Sequence, residues 1–302
     1  MKKLLFGAIM AVFTLGFVSL AIKAPYVYAA QPTVDLGTAT PFAILSGTPL
    51  ISDSPTSVIT GNVGLYPGPG SAIGLLCSQV TGTIYARDAT GNICFTVNAP
   101  LLLTAKNDLD TAYTDAANRT PVTIVPDELG GTTLTPGVYA STSTALQITA
   151  GAGPLVLDAQ NDPSAVFIFE VSKEAPGLTV GPGSVVQLTG QAQACNVFWR
   201  VDTATIDTTA VFKGNILALN SITVANGANI EGSLLARNGQ VTLINDTITV
   251  PVCKTTTVTP KLPNTGSASL ENSQTLLSIS LAAVAALVAL ASFIIVRTKR
   301  AN

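Results

Sequence analysis

Histidine does not occur anywhere in this chain. That absence removes the commonest general base and the imidazole metal ligand, and with them a Ser-His-Asp triad. Charge is scarce too: 15 Lys or Arg and 17 Asp or Glu make up 11% of 302 residues, leaving a formal net charge of -2. Lys2, Lys3, Lys23, Arg297, Lys299 and Arg300 sit at the two ends, so the central body is acidic. It has no electrostatic reason to hold nucleic acid or anionic lipid. Aromatic residues are 6% of the chain, with one Trp, so platforms for stacking on sugar rings are few. The four cysteines show no CxxC spacing, which removes the usual zinc motif; no metal or cofactor is expected. Clustered carboxylates would be the remaining catalytic chemistry, with Asp158, Asp162 and Asp246 as the candidates. Asp158 and Asp162 flank a turn beside Pro163 and read as strand terminators. The chain is expected to be non-enzymatic.

The two ends carry export signals. Lys2 and Lys3 precede an apolar run over residues 4–22, and Ala29 and Ala30 follow a Tyr-rich stretch. This reads as a signal peptide, residues 1–29, cleaved after Ala29, with an uncleaved membrane helix as the alternative. At the other end Leu262-Pro263-Asn264-Thr265-Gly266 is followed by a polar spacer, an apolar span over residues 276–296 and the basic tail 297–302. Such a span is long enough for a bilayer of about 30 Å hydrocarbon thickness, and the cationic tail would stay in the cytoplasm. The three-part order resembles a sortase sorting signal; a permanent single-span anchor is the alternative. The resemblance implies cutting between Thr265 and Gly266 and joining of the new carboxyl to cell-wall peptidoglycan. The expected organisation is therefore an exported body over residues 30–253, a linker over 254–275, and a surface anchor.

Between those ends, short alternating segments bounded by Gly, Asn, Asp or Pro predict strands, among them residues 155–157, 166–169 and 185–188. One stretch differs. From Ala99 to Asn118, Leu102, Ala105, Leu109, Ala112, Tyr113 and Ala116 recur at three and four residues, with Lys106, Asp108, Asp110 and Asp115 between them. This predicts one amphipathic helix over 99–118, capped by Asn98, with Pro100 in its first turn and Pro121 stopping it. The strand segments also repeat. Residues 212–221 match 230–239 at an offset of 18, residues 196–201 lie 19 before residue 215, and residues 61–65 echo 82–86 at 21. A period near twenty in short strands is the signature of a β-solenoid, triangular in section if each coil has three strands.

Pattern sorts the three strands of a coil. The first is apolar at nearly every residue, as in Val197-Phe198-Trp199 and Ile216-Leu217-Ala218-Leu219, so both its sides should be covered, and the helix is the available cover. The third carries Lys213 and Glu231 outward and reads as a solvated face. The second alternates inward Ala204, Ile206, Ile222, Val224, Val241 and Leu243 with outward Thr203, Thr205, Ser221, Thr223, Gln240 and Thr242. Stacked coils would set Thr205, Thr223 and Thr242 in a column at about 4.7–4.9 Å.

Four cysteines allow three pairings. Cys77 with Cys94, closing a short loop, and Cys195 with Cys253, tying the last strand to the core, are preferred; buried free thiols are the alternative.

Residues 134–139, 162–169, 194–199, 213–218 and 232–237 closely resemble blocks of the large microbial ice-binding protein family, in the same order and over about residues 34–253. The resemblance implies a mainly β fold: a discontinuous right-handed β-solenoid with a long helix alongside. It also implies adsorption to ice through a flat Thr- and Ser-bearing face, here the outward residues of the second strand, with Gln240 in that face and Asp207 close by. The partners expected are the ice surface, a sortase and peptidoglycan, with the membrane met only through the terminal helix and the body monomeric. The rival expectation is a wall-anchored adhesin or structural module for glycan or protein. That needs exposed aromatics, whereas Trp199 falls in the covered strand and Tyr66 and Tyr85 are isolated.

Overall fold

The structure, a computed structural model, describes residues 31–141, 143, 145–171 and 177–254. The expected signal peptide, sorting motif, apolar span and basic tail lie outside the described residues, which fall in one compact unit ending at Lys254.

Named strands pair in parallel throughout. Successive strands visit three sheets in turn. Val197–Val201 lies in the first, Ala204–Ile206 in the second and Val211–Lys213 in the third, and Asn215–Ala218 returns to the first beside Val197–Val201. The first sheet has ten strands and the second six. The third consists of a five-stranded and a three-stranded piece, joined by a bridge between Val185 and Val211.

Coil order does not follow chain order. Along the first sheet the strands run Thr96–Val97, Ile84–Ala86, Asn62–Leu65 and Phe42–Ser46. They continue as Leu234–Ala236, Asn215–Ala218, Val197–Val201, Phe167–Glu170, Gly137–Ser141 and Val122–Val125. The last coil of the chain thus docks on the first, and that seam lies inside the stack.

The offset of 18 between residues 216 and 234 holds in register, as does the 21 between 63 and 84. The expected offset of 19 does not: Trp199 pairs with Ile216 and Arg200 with Leu217, an offset of 17. A slip of two residues preserves which side chains point inward, so hydrophobic alternation cannot separate the two registers. What sets it is Asn215, whose side-chain amide donates to the Val197 carbonyl at 3.2 Å and the Cys195 carbonyl at 3.3 Å.

Two apolar clusters hold the stack. One lies inside the coils and includes Ile216, Leu234, Ile222, Val241, Phe212 and Ile230, contributed by all three sheets. Its aromatic spine stacks Phe169 on Trp199 with ring centroids 3.9 Å apart, and the Trp199 indole donates to the Lys213 carbonyl at 3.0 Å. The other lies between the first sheet and the helix, pairing Phe42, Leu45, Ile168, Phe198, Leu217 and Leu235 with Leu102, Leu109 and Tyr113. The described members of both clusters all lie within the compact unit that ends at Lys254, which holds its own apolar core.

The helix spans Ala99–Ala117, with the Asn98 side chain accepting from the Leu101 N–H at 3.1 Å and Pro in its first turn. Nineteen residues rise about 28 Å, enough to cover about six strands at 4.8 Å. Lys106 departs from expectation. Its place between the apolar positions predicts an exposed side chain, yet it is buried, and its Nζ donates to the main-chain carbonyls of Ala236 at 2.6 Å and Arg237 at 2.5 Å. Position 106 lies one turn after Leu102, on the packed stripe, and its flexible stem can reach the strand-end carbonyls. Tyr113 is gripped between the guanidinium groups of Arg200 and Arg237, 4.5 and 4.6 Å from its ring centroid.

The corner joining the third sheet to the first is built on glycines. A Cβ on Gly232 would lie 1.9 Å from the Gly214 carbonyl oxygen, so the coils stack closely there only without side chains. After Thr249 the chain stops coiling. Val250 sits against Gly61, and Cys253 is bonded to Cys195, with a Cα separation of 5.5 Å. Cys77 is bonded to Cys94, with a Cα separation of 6.3 Å, near the opposite end of the N-terminal coils.

Candidate functional site

The second sheet runs Ala145–Ile148, Gly177–Val180, Ala204–Ile206, Ile222–Val224, Val241–Leu243 and Leu50–Ser52. Leu178, Val180, Ile206, Ile222, Val224, Val241 and Leu243 point into the core. The residue between each inward pair points out. Register places Gln147 beside Thr179, Thr179 beside Thr205, Thr205 beside Thr223, Thr223 beside Thr242, and Thr242 beside Ile51. Four consecutive coils therefore present one Thr each, flanked by Gln147 and Ile51.

Thr205, Thr223 and Thr242 stand in this column. Thr203, Ser221 and Gln240 precede the same strands and form a parallel, less uniform row, with main-chain bonds from Ala204 N to Ser221 O at 3.1 Å and Ile222 N to Gln240 O at 3.0 Å. Gln240 donates its side-chain amide to the Thr242 hydroxyl at 3.2 Å, which fixes both groups. Thr179 escaped the sequence reading, although Leu178-Thr179-Val180 has the same apolar–Thr–apolar pattern as Ile222-Thr223-Val224. Its coil opens on Ala165-Val166-Phe167 and carries no copy of the Asn- or Ser-led apolar block that aligns the others, Asn196-Val197-Phe198, Asn215-Ile216-Leu217 and Ser233-Leu234-Leu235.

Two properties set this sheet apart. No Lys, Arg, Asp or Glu occurs in its six strands, whereas the third sheet carries the Lys213–Glu231 ion pair at 2.8 Å and the helix carries three Asp. Its pairings also run without a register shift, whereas the first sheet has one between Phe42 and Ile44. Asp207, just past the strand, accepts from the Thr208 N–H at 2.7 Å and belongs to the corner.

That corner is itself ordered. The Asn245 amide donates to Asn226 Oδ1 at 2.9 Å, and the Thr56 hydroxyl donates to Asn245 Oδ1 at 2.5 Å and lies 2.6 Å from the Ser54 hydroxyl.

The carboxylates considered as catalysts are dispersed among local roles. Asp158 accepts from the Gln160 N–H, and Asp162 from the N–H and hydroxyl of Ser164. Asp246 is buried at the seam between the first and last coils, accepting from Ile244 N–H at 2.7 Å and Ala228 N–H at 3.2 Å. Trp199 is fully buried, Tyr66 and Tyr85 pack against the helix-side cluster, and the exposed large apolar side chains among the described residues are all aliphatic.

A parallel stack in which one in-register sheet carries a column of Thr and no charged residue in its strands offers an extended hydroxyl-bearing surface. The sequence profile of the ice-binding-like family matches residues 44–249, and the chain belongs to that family. An ice-binding protein of Flavobacterium frigoris is 41% identical over 226 residues, spanning 72% of this chain and 76% of that protein. One from a Colwellia species is 38% identical, spanning 76% and 89%. The crystal structure of an ice-binding protein from an Antarctic biological consortium superposes with a TM-score of 0.63 at 36% identity, covering 76% of this chain and 96% of that one. A domain of ice-binding protein 1 from Shewanella frigidimarina gives 0.67 at 28% identity, covering 74% and 100%.

Proposed function

We propose that this protein binds ice through the outward face of its second sheet while held at the cell surface. The observation that carries the reading is the in-register column Thr179, Thr205, Thr223 and Thr242 in a sheet free of charged residues. Parallel strands repeat at about 4.8 Å, so the column is a regular array of methyl and hydroxyl groups. β-Branched Thr is stiff at χ1, and little rotamer entropy is lost when such an array meets an ordered water layer. Charged groups would orient water differently, and the six strands of this face carry none. Thr203, Ser221 and Gln240 extend the contact to a second row. The family relatives named above, all called ice-binding proteins, support the same reading.

The test is ice-affinity partitioning and crystal shaping with a protein spanning residues 30–260. Thr223→Tyr should fall well below the parent in the ice fraction. Equal partitioning of the two rejects this face.

Surface attachment is the second part of the proposal. It rests on the signal-peptide-like start, and on Leu262, Pro263, Asn264, Thr265 and Gly266 with the apolar span and basic tail behind them. A sortase would join Thr265 to peptidoglycan, leaving the body outside the cell. The described body favours such an arrangement. Its last residues follow the corner between the third and first sheets, the corner that does not border the second sheet. Deleting residues 262–266 should move the protein out of the cell-wall fraction; unchanged wall retention would defeat this part.

A further inference from the structure

The third sheet is not uniformly a solvated, charged face. Its five-stranded piece runs Val211–Lys213, Asn229–Glu231, Thr247–Thr249, Val58–Thr60 and Val80–Thr81. The outward column reads Lys213, Glu231, Thr249, Thr60, Thr81. Lys213 and Glu231 are paired at 2.8 Å and close one end. Beyond them the seam between the last and first coils is uncharged, with Thr247 beside Val58 in the neighbouring column. Ile248 and Ile59 beneath are fully buried, whereas Val58 is 51% exposed. An aliphatic side chain left this open among exposed threonines reproduces the mixture of methyls and hydroxyls on the second sheet.

The patch is also continuous with that sheet. It borders the corner where Asn226, Asn245, Thr56 and Ser54 hold one another in a hydrogen-bonded ladder crossing the same seam. Side chains fixed in advance lose little freedom on contact. Because the chain turns a corner between the two sheets, both cannot lie on one flat plane.

We infer that Thr60, Thr81, Thr247, Thr249 and Val58 form a second, smaller ice-contacting surface, so that the protein adsorbs to two differently oriented sets of ice planes. This rests on the reading of the second sheet as an ice-binding face. A molecule seated by its Thr179–Thr242 column would still offer the seam patch to another crystal surface, such as a neighbouring grain.

The experiment is plane-affinity imaging: fluorescently labelled protein spanning residues 30–260 is adsorbed to a single-crystal ice hemisphere. The parent, Thr223→Tyr, Thr60→Tyr and Thr81→Tyr are compared, with circular dichroism melts to verify folding. The parent should decorate two sets of planes. Thr60→Tyr and Thr81→Tyr should each lose one set and keep the other, and Thr223→Tyr should lose the complementary set. A parent that decorates a single set, or folded Thr60→Tyr and Thr81→Tyr that both keep the parent's pattern, overturns the inference and leaves the second-sheet reading standing. A parent that decorates no plane removes that reading itself, and this one with it.

Discussion

Asp246 and Ser57 are far apart in the chain and meet at the seam, where the Asp246 N–H donates to the Ser57 hydroxyl at 3.2 Å. The Asp246 carboxylate is buried there, and burial pushes its pKa up to about 6 against the opposing pull of the Ile244 and Ala228 N–H groups. The folded state therefore holds this proton more tightly than the unfolded chain, whose value is near 3.8. Stability should rise as pH falls from 7 to 5, by about 1 kcal/mol from this group. Glu170, raised by burial, acts in the same direction. Asp108 and Asp127, held low by hydroxyl partners, lose their contribution only at lower pH. Urea melts at pH 7 and 5 measure the gain, and Asp246→Asn should shrink it. A parent less stable at pH 5 than at pH 7 would contradict the assignment.

Lys106 pins the helix to the end of the strand Leu234–Ala236. Replacing it with Met keeps most of the volume and removes the donors from two carbonyls. Lys106→Met should cost about 1–3 kcal/mol in denaturant melts. It should also speed amide exchange in the helix more than in the second sheet.

The two disulfides should differ in worth. Cys195 and Cys253 enclose a separation of 58 residues, Cys77 and Cys94 one of 17. Loop-closure entropy gives roughly 4 and 3 kcal/mol respectively. Chemical denaturation of Cys195→Ser/Cys253→Ser should thus show a larger loss than Cys77→Ser/Cys94→Ser.

Gly232→Ala puts a methyl 1.9 Å from the Gly214 carbonyl oxygen, and backbone on both sides must move. It should cost more than about 3 kcal/mol. Gly151→Ala meets nothing within 4 Å and suffers only from its φ of +81°, so its cost should be about 1 kcal/mol. Thermal melts of the pair separate close packing from backbone strain.

Thr179→Tyr tests the column at a position visible only in the folded chain. It should lower ice partitioning as Thr223→Tyr does, with a melting temperature within a few degrees of the parent because Thr179 is exposed.

What could be read in advance follows from what alternation encodes. Leu102, Ala105, Leu109 and Tyr113 gave the helix and its packed stripe, because a period of 3.6 contrasts with strands on either side. Thr205, Thr223 and Thr242 could be aligned because their coils share a repeat block. Thr179 could not, since its coil lacks that block, and inward parity is blind to the two residues that separate the register at Trp199 from the repeat spacing. The seam was beyond reach for a different reason. No local pattern says that Thr249 pairs with Thr60, because that contact is selected by which coil edges remain uncovered once the helix has carried the chain to the far end.

The stacking order changes what truncation means for this protein. In an ordinary repeat array the last coil is terminal, and losing it shortens the rod by one step. Here the last coil, residues 234–249, is an interior slab. Clipping it off would split the rod into two short halves joined only by a helix. Until translation delivers that final segment, the first coils have an uncovered edge awaiting it.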